Sequence, residues 1–91
     1  MSRNLTIELN TSALEPRGAV ERTDRILVNA YGLLKSIAAN RVKNLDDAYN
    51  ILFAAFGNDG DWIVYKGGHH VALIADYHHI SVSVLTVKEA Q

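Results

Sequence analysis

The four histidines are the residues of this chain whose type and spacing could do chemistry. They stand as two adjacent pairs, His69-His70 and His78-His79, within GGHHVALIADYHHI at residues 67–80. Imidazole nitrogens bind zinc, and a histidine near its ordinary pKa can act as a general acid or base or as a pH sensor. The pattern therefore has three possible interpretations, which are a metal site, a catalytic pair, or the polar ends of an ordinary strand.

The strand-like residues between the two pairs argue against a metal site within one chain. Neighbouring residues of a strand point to opposite faces, so neither pair chelates well. His70 and His79 share a face of the predicted sheet, but an offset of four residues separates them by ~13 Å. A zinc ion needs ligand nitrogens within about 2.1 Å. We expect no metal and no cofactor, and a site shared between two chains is the alternative.

Catalysis lacks the residues that a histidine would need. Ser81 and Ser83 follow His79, but no nucleophile elbow or glycine-rich oxyanion loop accompanies them. The KGGHH stretch has neither the spacing of a phosphate-binding loop nor a helix after it. We predict that the protein is not an enzyme.

Hydrophobic periodicity predicts the elements that must position these residues. LTIEL at residues 5–9 alternates apolar and polar side chains, as a half-buried strand does. DWIVYK, HHVALIAD and HISVSVLTV are rich in β-branched and aromatic residues, which favours three further strands. Two helices lie between the first strand and these three, so the predicted order is β-α-α-β-β-β.

The two helices are predicted over residues 17–39 and 44–57. Asn40 is expected to stop the first helix, Asn44 to cap the second and Gly57 to end it. The predicted apolar face of the first helix comprises Val20, Thr23, Ile26, Leu27, Ala30, Tyr31, Leu34, Ile37 and Ala38. The predicted stripe of the second comprises Leu45, Ala48, Tyr49, Leu52, Ala55 and Phe56.

The glycine pair Gly67-Gly68 predicts the first hairpin, because both residues can adopt a positive φ in a two-residue turn. That turn would set Trp62 opposite Leu73. The second turn is predicted at Asp76-Tyr77, or more widely over residues 76–79. Both loops give the same faces, whereas a three-residue loop with a bulge would change them.

These pairings assign one face of the sheet to the core and leave the other uncovered. The predicted inner face comprises Trp62, Val64, Val71, Leu73, Ala75, Ile80, Val82 and Val84. The predicted outer face comprises Ile63, Tyr65, His70, Ala72, Ile74, His79, Ser81 and Ser83. The fold class is therefore α+β, a four-stranded antiparallel sheet with two helices packed on one face. We interpret Ile63, Tyr65, His70, Ile74 and His79 as a protein-interaction surface, since no further element can cover them.

Bulk properties limit the functional classes. Ninety-one residues with 48% hydrophobic and 21% charged side chains predict a single globular domain over residues 1–91. The net charge of -1 makes a nucleic-acid partner unfavourable. The start MSRNLTIELN has no apolar run of signal-peptide length, and no segment approaches ~20 apolar residues. We expect a cytoplasmic protein without a membrane span.

The sequence thus favours a small non-catalytic module that binds a protein partner and forms a homodimer. In size, element order and lack of chemistry it resembles the small proteins with which phages and mobile elements inhibit host defence or regulatory complexes, anti-CRISPR proteins included. That likeness is one of type, and no residue carries over from it. The alternatives are an oligomeric protein that responds to metal or pH through its histidines, and a small nucleic-acid-binding regulator.

Overall fold

The α+β fold predicted from the sequence is confirmed by a computed structural model, which describes residues 5–10, 19–77 and 80–89. The elements are β1 (Leu5–Leu9), α1 (Ala19–Ala38), α2 (Leu45–Phe56), β2 (Trp62–Lys66), β3 (His70–Tyr77) and β4 (Ile80–Glu89). The strands form one antiparallel sheet in the order β1-β4-β3-β2, so β1 and β2 are its edges. In the part of the chain described here, no helix combines the length and hydropathy needed to cross a membrane.

Helix α2 forms as its sequence predicts. The Asp47 backbone N–H donates to the Asn44 side-chain oxygen at 2.9 Å, which satisfies one of the free donors of the first turn. Gly57 follows the last helical residue. The predicted stripe faces the sheet, with Leu45, Ala48, Leu52 and Phe56 buried, and Tyr49 and Ala55 packed against the core.

The core lies between α2 and the inner face of the sheet. The Phe56 ring packs against the Trp62 ring of β2, with centroids 5.0 Å apart. Leu73 of β3 and Leu85 and Val87 of β4 are fully buried beneath the helices. These residues belong to a single cluster of buried apolar side chains, to which both helices and all four strands contribute.

Helix α1 differs from the prediction in the face that it buries. Its stop at Asn40, which adopts a left-handed φ of 60°, agrees with the sequence. Its core stripe, however, is Ile26, Ala30, Leu33 and Ile37. The predicted core residues Leu27, Tyr31, Leu34 and Ala38 are exposed, and Leu33 was not predicted. Val20 and Thr23 lie outside the described side chains.

The prediction was wrong because α1 has apolar residues on more than one face. A helix has one side toward a sheet, and nothing in the sequence of α1 alone says which apolar row takes it. The buried row, 26-30-33-37, continues the 3.6-residue period without interruption. The exposed row becomes a surface feature that the sequence did not reveal.

Arg25 connects α1 to the end of α2. Helix α2 has no basic residue in its last turn. The Arg25 guanidinium instead donates to the Ala55 carbonyl oxygen and to the Asp59 carboxylate at 2.8 Å, and it lies 4.4 Å from the centre of the Phe56 ring. A cation here is favoured by the negative end of the helix dipole and by the ring face.

The first hairpin is shifted by two residues from the predicted register. Trp62 pairs with Ala75 rather than Leu73, and the Gly67 N–H donates to the His70 carbonyl oxygen at 2.8 Å. The turn is therefore centred one residue later than predicted, and neither glycine adopts a left-handed φ. Because the shift is even, the predicted faces of β2 and β3 survive.

The second turn and part of β4 also differ. Asp76 and Tyr77 belong to β3 and pair with Ser81 and Ile80, so neither residue lies in the turn as predicted. Residues 78–79 of the wider predicted turn lie outside the described residues. The register then shifts within β4, where Leu73 pairs with Leu85 but Ile74 pairs with Ser83. The extra residue is Val84, a β-bulge.

The bulge changes which residues of β4 reach the core. Val84 is buried as predicted and Val82 is half-buried. Beyond the bulge the alternation reverses, so the odd-numbered Leu85 and Val87 join the inner face. The side chain of Ile80 lies outside the described part of the chain.

Replacing Leu73 with alanine tests the assignment of the inner face. Leu73 is fully buried, so Leu73→Ala should lower the free energy of unfolding by about 2–5 kcal/mol. The control Ser83→Ala, at an exposed position of the neighbouring strand, should change it by no more than about 0.5 kcal/mol. Urea melts that show the two variants equally destabilised would mean that the faces are inverted.

Two glycines give predictions of opposite sign. A methyl group on Gly32, within α1, would meet no atom within 4 Å, so Gly32→Ala should stabilise the fold by up to about 1 kcal/mol through helix propensity. A methyl group on Gly57 would lie 2.6 Å from the Phe53 carbonyl oxygen, so Gly57→Ala should destabilise it. Thermal melts of both variants at one protein concentration check this. A destabilised Gly32→Ala would show that some other group packs closely against that position.

Candidate protein-binding surface

The outer face of the sheet, the one turned away from the helices, brings together the described members of the predicted site. Ile63 and Ile74 are direct cross-strand partners on β2 and β3. Tyr65 follows on the same face of β2, and His70 lies on that face of β3. Ile63 is 42% exposed and Tyr65 is 50% exposed, whereas Ile74 and His70 are half-buried. His79, the fifth predicted member, lies outside the described residues.

The Tyr65 and His70 rings form one contact unit at the hairpin. Their centroids lie 5.6 Å apart and their planes are tilted by 43°. A methyl group on Gly67 would meet the His70 ring at 2.8 Å and the Tyr65 ring at 3.2 Å. Glycine at this position therefore leaves room for the two rings, a role different from the turn conformation that the sequence suggested.

The two histidines of the first pair have different partners, and only His70 belongs to β3. His70 contacts Tyr65, whereas the His69 Nδ1 lies 3.6 Å from the Glu89 carboxylate at the end of β4. Within residues 5–10, 19–77 and 80–89, no group of three or more histidine, aspartate or glutamate side chains is placed to hold a metal ion.

The half of the outer face toward β1 is polar. Glu8 of β1 and Lys88 of β4 form an ion pair at 2.8 Å. A shallow depression of about 440 Å³ lies on this face, beside Tyr65 and His70. It is lined by His69, His70, Ala72, Ser83, Thr86, Lys88 and Glu89. The outer face thus has an apolar ridge, formed by Ile63, Tyr65 and Ile74, beside this depression, which we call the polar trough.

A second apolar surface, which we call the α1 groove, lies between α1 and the edge strand β1. It is open, with a volume of about 330 Å³, and is lined by Ile7, Leu9, Leu27, Ala30, Tyr31 and Leu34. Leu27, Tyr31 and Leu34 are 43%, 64% and 55% exposed. Sequence reasoning missed this surface because it assigned these three residues to the core. The available signal was the width of the apolar arc of α1, too broad for one contact.

The geometry defines an α+β domain with a one-sided helical layer and two apolar surfaces that residues 5–10, 19–77 and 80–89 leave uncovered. A scan against models of known families found no match, and searches of curated proteins and of solved structures found no similar protein. The function must therefore be inferred from the surfaces themselves.

Chelation tests the assignment of the histidines as polar strand-end residues. We expect EDTA to leave the melting temperature and the oligomeric state unchanged. A metal that binds only the folded form stabilises it by mass action, so removing such a metal would lower the melting temperature. A fall of several degrees in EDTA, reversed by added zinc, would instead support a metal site shared between chains.

Proposed function

We propose that the protein is a non-catalytic module that binds a target protein through the outer face of its sheet. The observation that carries the proposal is the pair Ile63 and Tyr65, about half exposed on a regular strand and continuous with Ile74 across the strand pair. The exposed part of each such side chain forgoes a corresponding part of the about 1.5–3 kcal/mol that full burial of an aliphatic side chain supplies.

The composition of the face supports a protein target. Tyrosine is enriched at protein interfaces because its ring is apolar and its hydroxyl can still bond at the rim. Ile63 and Tyr65 are held on a hydrogen-bonded strand, so little backbone entropy is lost on binding. The polar trough beside them supplies the hydrogen-bonding rim that surrounds the apolar centre of most interfaces.

Three of the described cations support this target over a nucleic acid. Lys88 pairs with Glu8, Lys66 pairs with Asp46 and Arg25 pairs with Asp59, each at 2.8 Å. A basic group that already has a carboxylate partner has less to gain from a phosphate. A small cytoplasmic inhibitor, of the type that phages use against host complexes, would fit a module of this kind.

The test begins with capture from a bacterial lysate on the immobilised chain. The captured protein is then purified and titrated calorimetrically against the wild type and against Ile63→Lys/Ile74→Lys. We expect the double variant to fold, since both residues point away from the core, and to bind at least about tenfold more weakly, because two contact residues are lost.

Val28→Lys is the matched control, because Val28 is an aliphatic residue 69% exposed on α1, far from the outer face. It should bind the captured protein as the wild type does. A double variant that is folded by circular dichroism and binds with unchanged affinity would rule out the outer face as the target surface.

A further inference from the structure

The edge strand β1 has backbone groups that no strand in the described ranges uses. The Asn10 N–H donates to the Val84 carbonyl oxygen at 3.0 Å, which continues the β1-β4 ladder. Bonded pairs alternate in an antiparallel ladder, so the even-numbered residues of β1 bond to β4. The odd-numbered residues direct their N–H and C=O groups to the open edge. They are Leu5, Ile7 and Leu9.

The same open edge adjoins the α1 groove. The odd-numbered residues of β1 have their side chains on the inner face, and two of them, Ile7 and Leu9, line the groove. Leu27, Tyr31 and Leu34 of α1 form the other wall. A strand added beside β1 would therefore continue the sheet and place every second side chain beneath α1.

We propose that the occupant is β1 of a second copy, antiparallel and related by a two-fold axis at Ile7. An added strand needs apolar residues at alternate positions to fill the groove, and β1 has them in Leu5, Ile7 and Leu9. An antiparallel pair of edges is also self-complementary, as an isologous dimer requires.

The register follows from the backbone and the charges. Outward-facing groups bond only if odd-numbered residues oppose odd-numbered residues. The register with the greatest overlap sets Ile7 opposite Ile7 and Leu5 opposite Leu9. Thr6 then opposes Glu8, so no like charges meet directly, and Glu8 keeps its ion pair with Lys88.

Molar mass is the first test. Light scattering over a concentration series should show the 10.0 kDa wild-type chain at twice its mass. Tyr31→Lys/Leu34→Lys should be monomeric, because both exposed side chains line the groove. Val28→Lys, on the same helix but not lining the groove, should remain dimeric. A monomeric wild type, or a groove variant that still dimerises, overturns the proposal.

Disulfide cross-linking is the second test, and it reports the register. The chain contains no cysteine, so an introduced one can join only two copies. Ile7→Cys should cross-link, since opposed bonded residues have Cα atoms about 5.5 Å apart, within disulfide reach. Leu9→Cys alone should not, because its two copies lie four positions apart, ~13 Å. Mixing Leu9→Cys with Leu5→Cys should restore the cross-link.

Control positions separate this proposal from the proposed function. Ile63→Cys, on the outer face, should not cross-link, and Ile63→Lys/Ile74→Lys should remain dimeric. A cross-link at Ile63 in place of Ile7 would move the dimer to the outer face and overturn the proposal. If Ile7→Cys unfolds, the molar masses and the Leu5 and Leu9 mixture decide. A failure here leaves target binding by the outer face untouched.

Discussion

The structure depends on one constraint, that two helices can cover only one face of a four-stranded sheet. Helix α2 takes the favourable place over β2, β3 and β4, where Phe56 and Trp62 pack. Helix α1 covers the edge of the sheet at β1 and packs against one side of α2. The outer sheet face and the outward row of α1 both remain uncovered by the described chain, so the two apolar surfaces have one cause.

Arg25 makes this arrangement more than a matter of hydrophobic burial. From its place on α1, the Arg25 guanidinium donates to the Ala55 carbonyl oxygen at the carboxyl end of α2 and to the Asp59 carboxylate in the following turn. It also lies over the Phe56 ring, which packs against Trp62. The direction of α1 over the sheet is thereby tied to the end of α2. Rotating α1 to bury Leu27, Tyr31 and Leu34 would withdraw Arg25 from these contacts. We infer that this cluster helps to select the row 26-30-33-37 for the core.

The predictable parts of the fold were those decided by local periodicity and by parity. The capping of α2 by Asn44, its stripe and the faces of β2 and β3 follow from neighbouring residues alone. A register error of two in the first hairpin did no harm, because side chains alternate with period two. Nothing in the run of valines and serines marks a bulge at Val84. The burial of Leu85 and Val87 on the inner face therefore could not be predicted from the sequence. The exposed row of α1 depends on contacts from α2, distant in sequence, and was missed for that reason.

The outer face and the α1 groove become related once the proposed pairing of β1 is considered. An antiparallel pair of edge strands keeps inner faces with inner faces, so both outer faces would lie on the same side of one eight-stranded sheet. Their apolar ridges, on β2 and β3 of each copy, would stand roughly 30 Å apart at about 4.8 Å per strand. Because neighbouring strands are rotated by about 20–25°, the two ridges would face different directions, related by the two-fold axis, and would suit a target that itself has two-fold symmetry. Such a target would be held through both ridges at once, with an affinity that exceeds that of either ridge without any new contact.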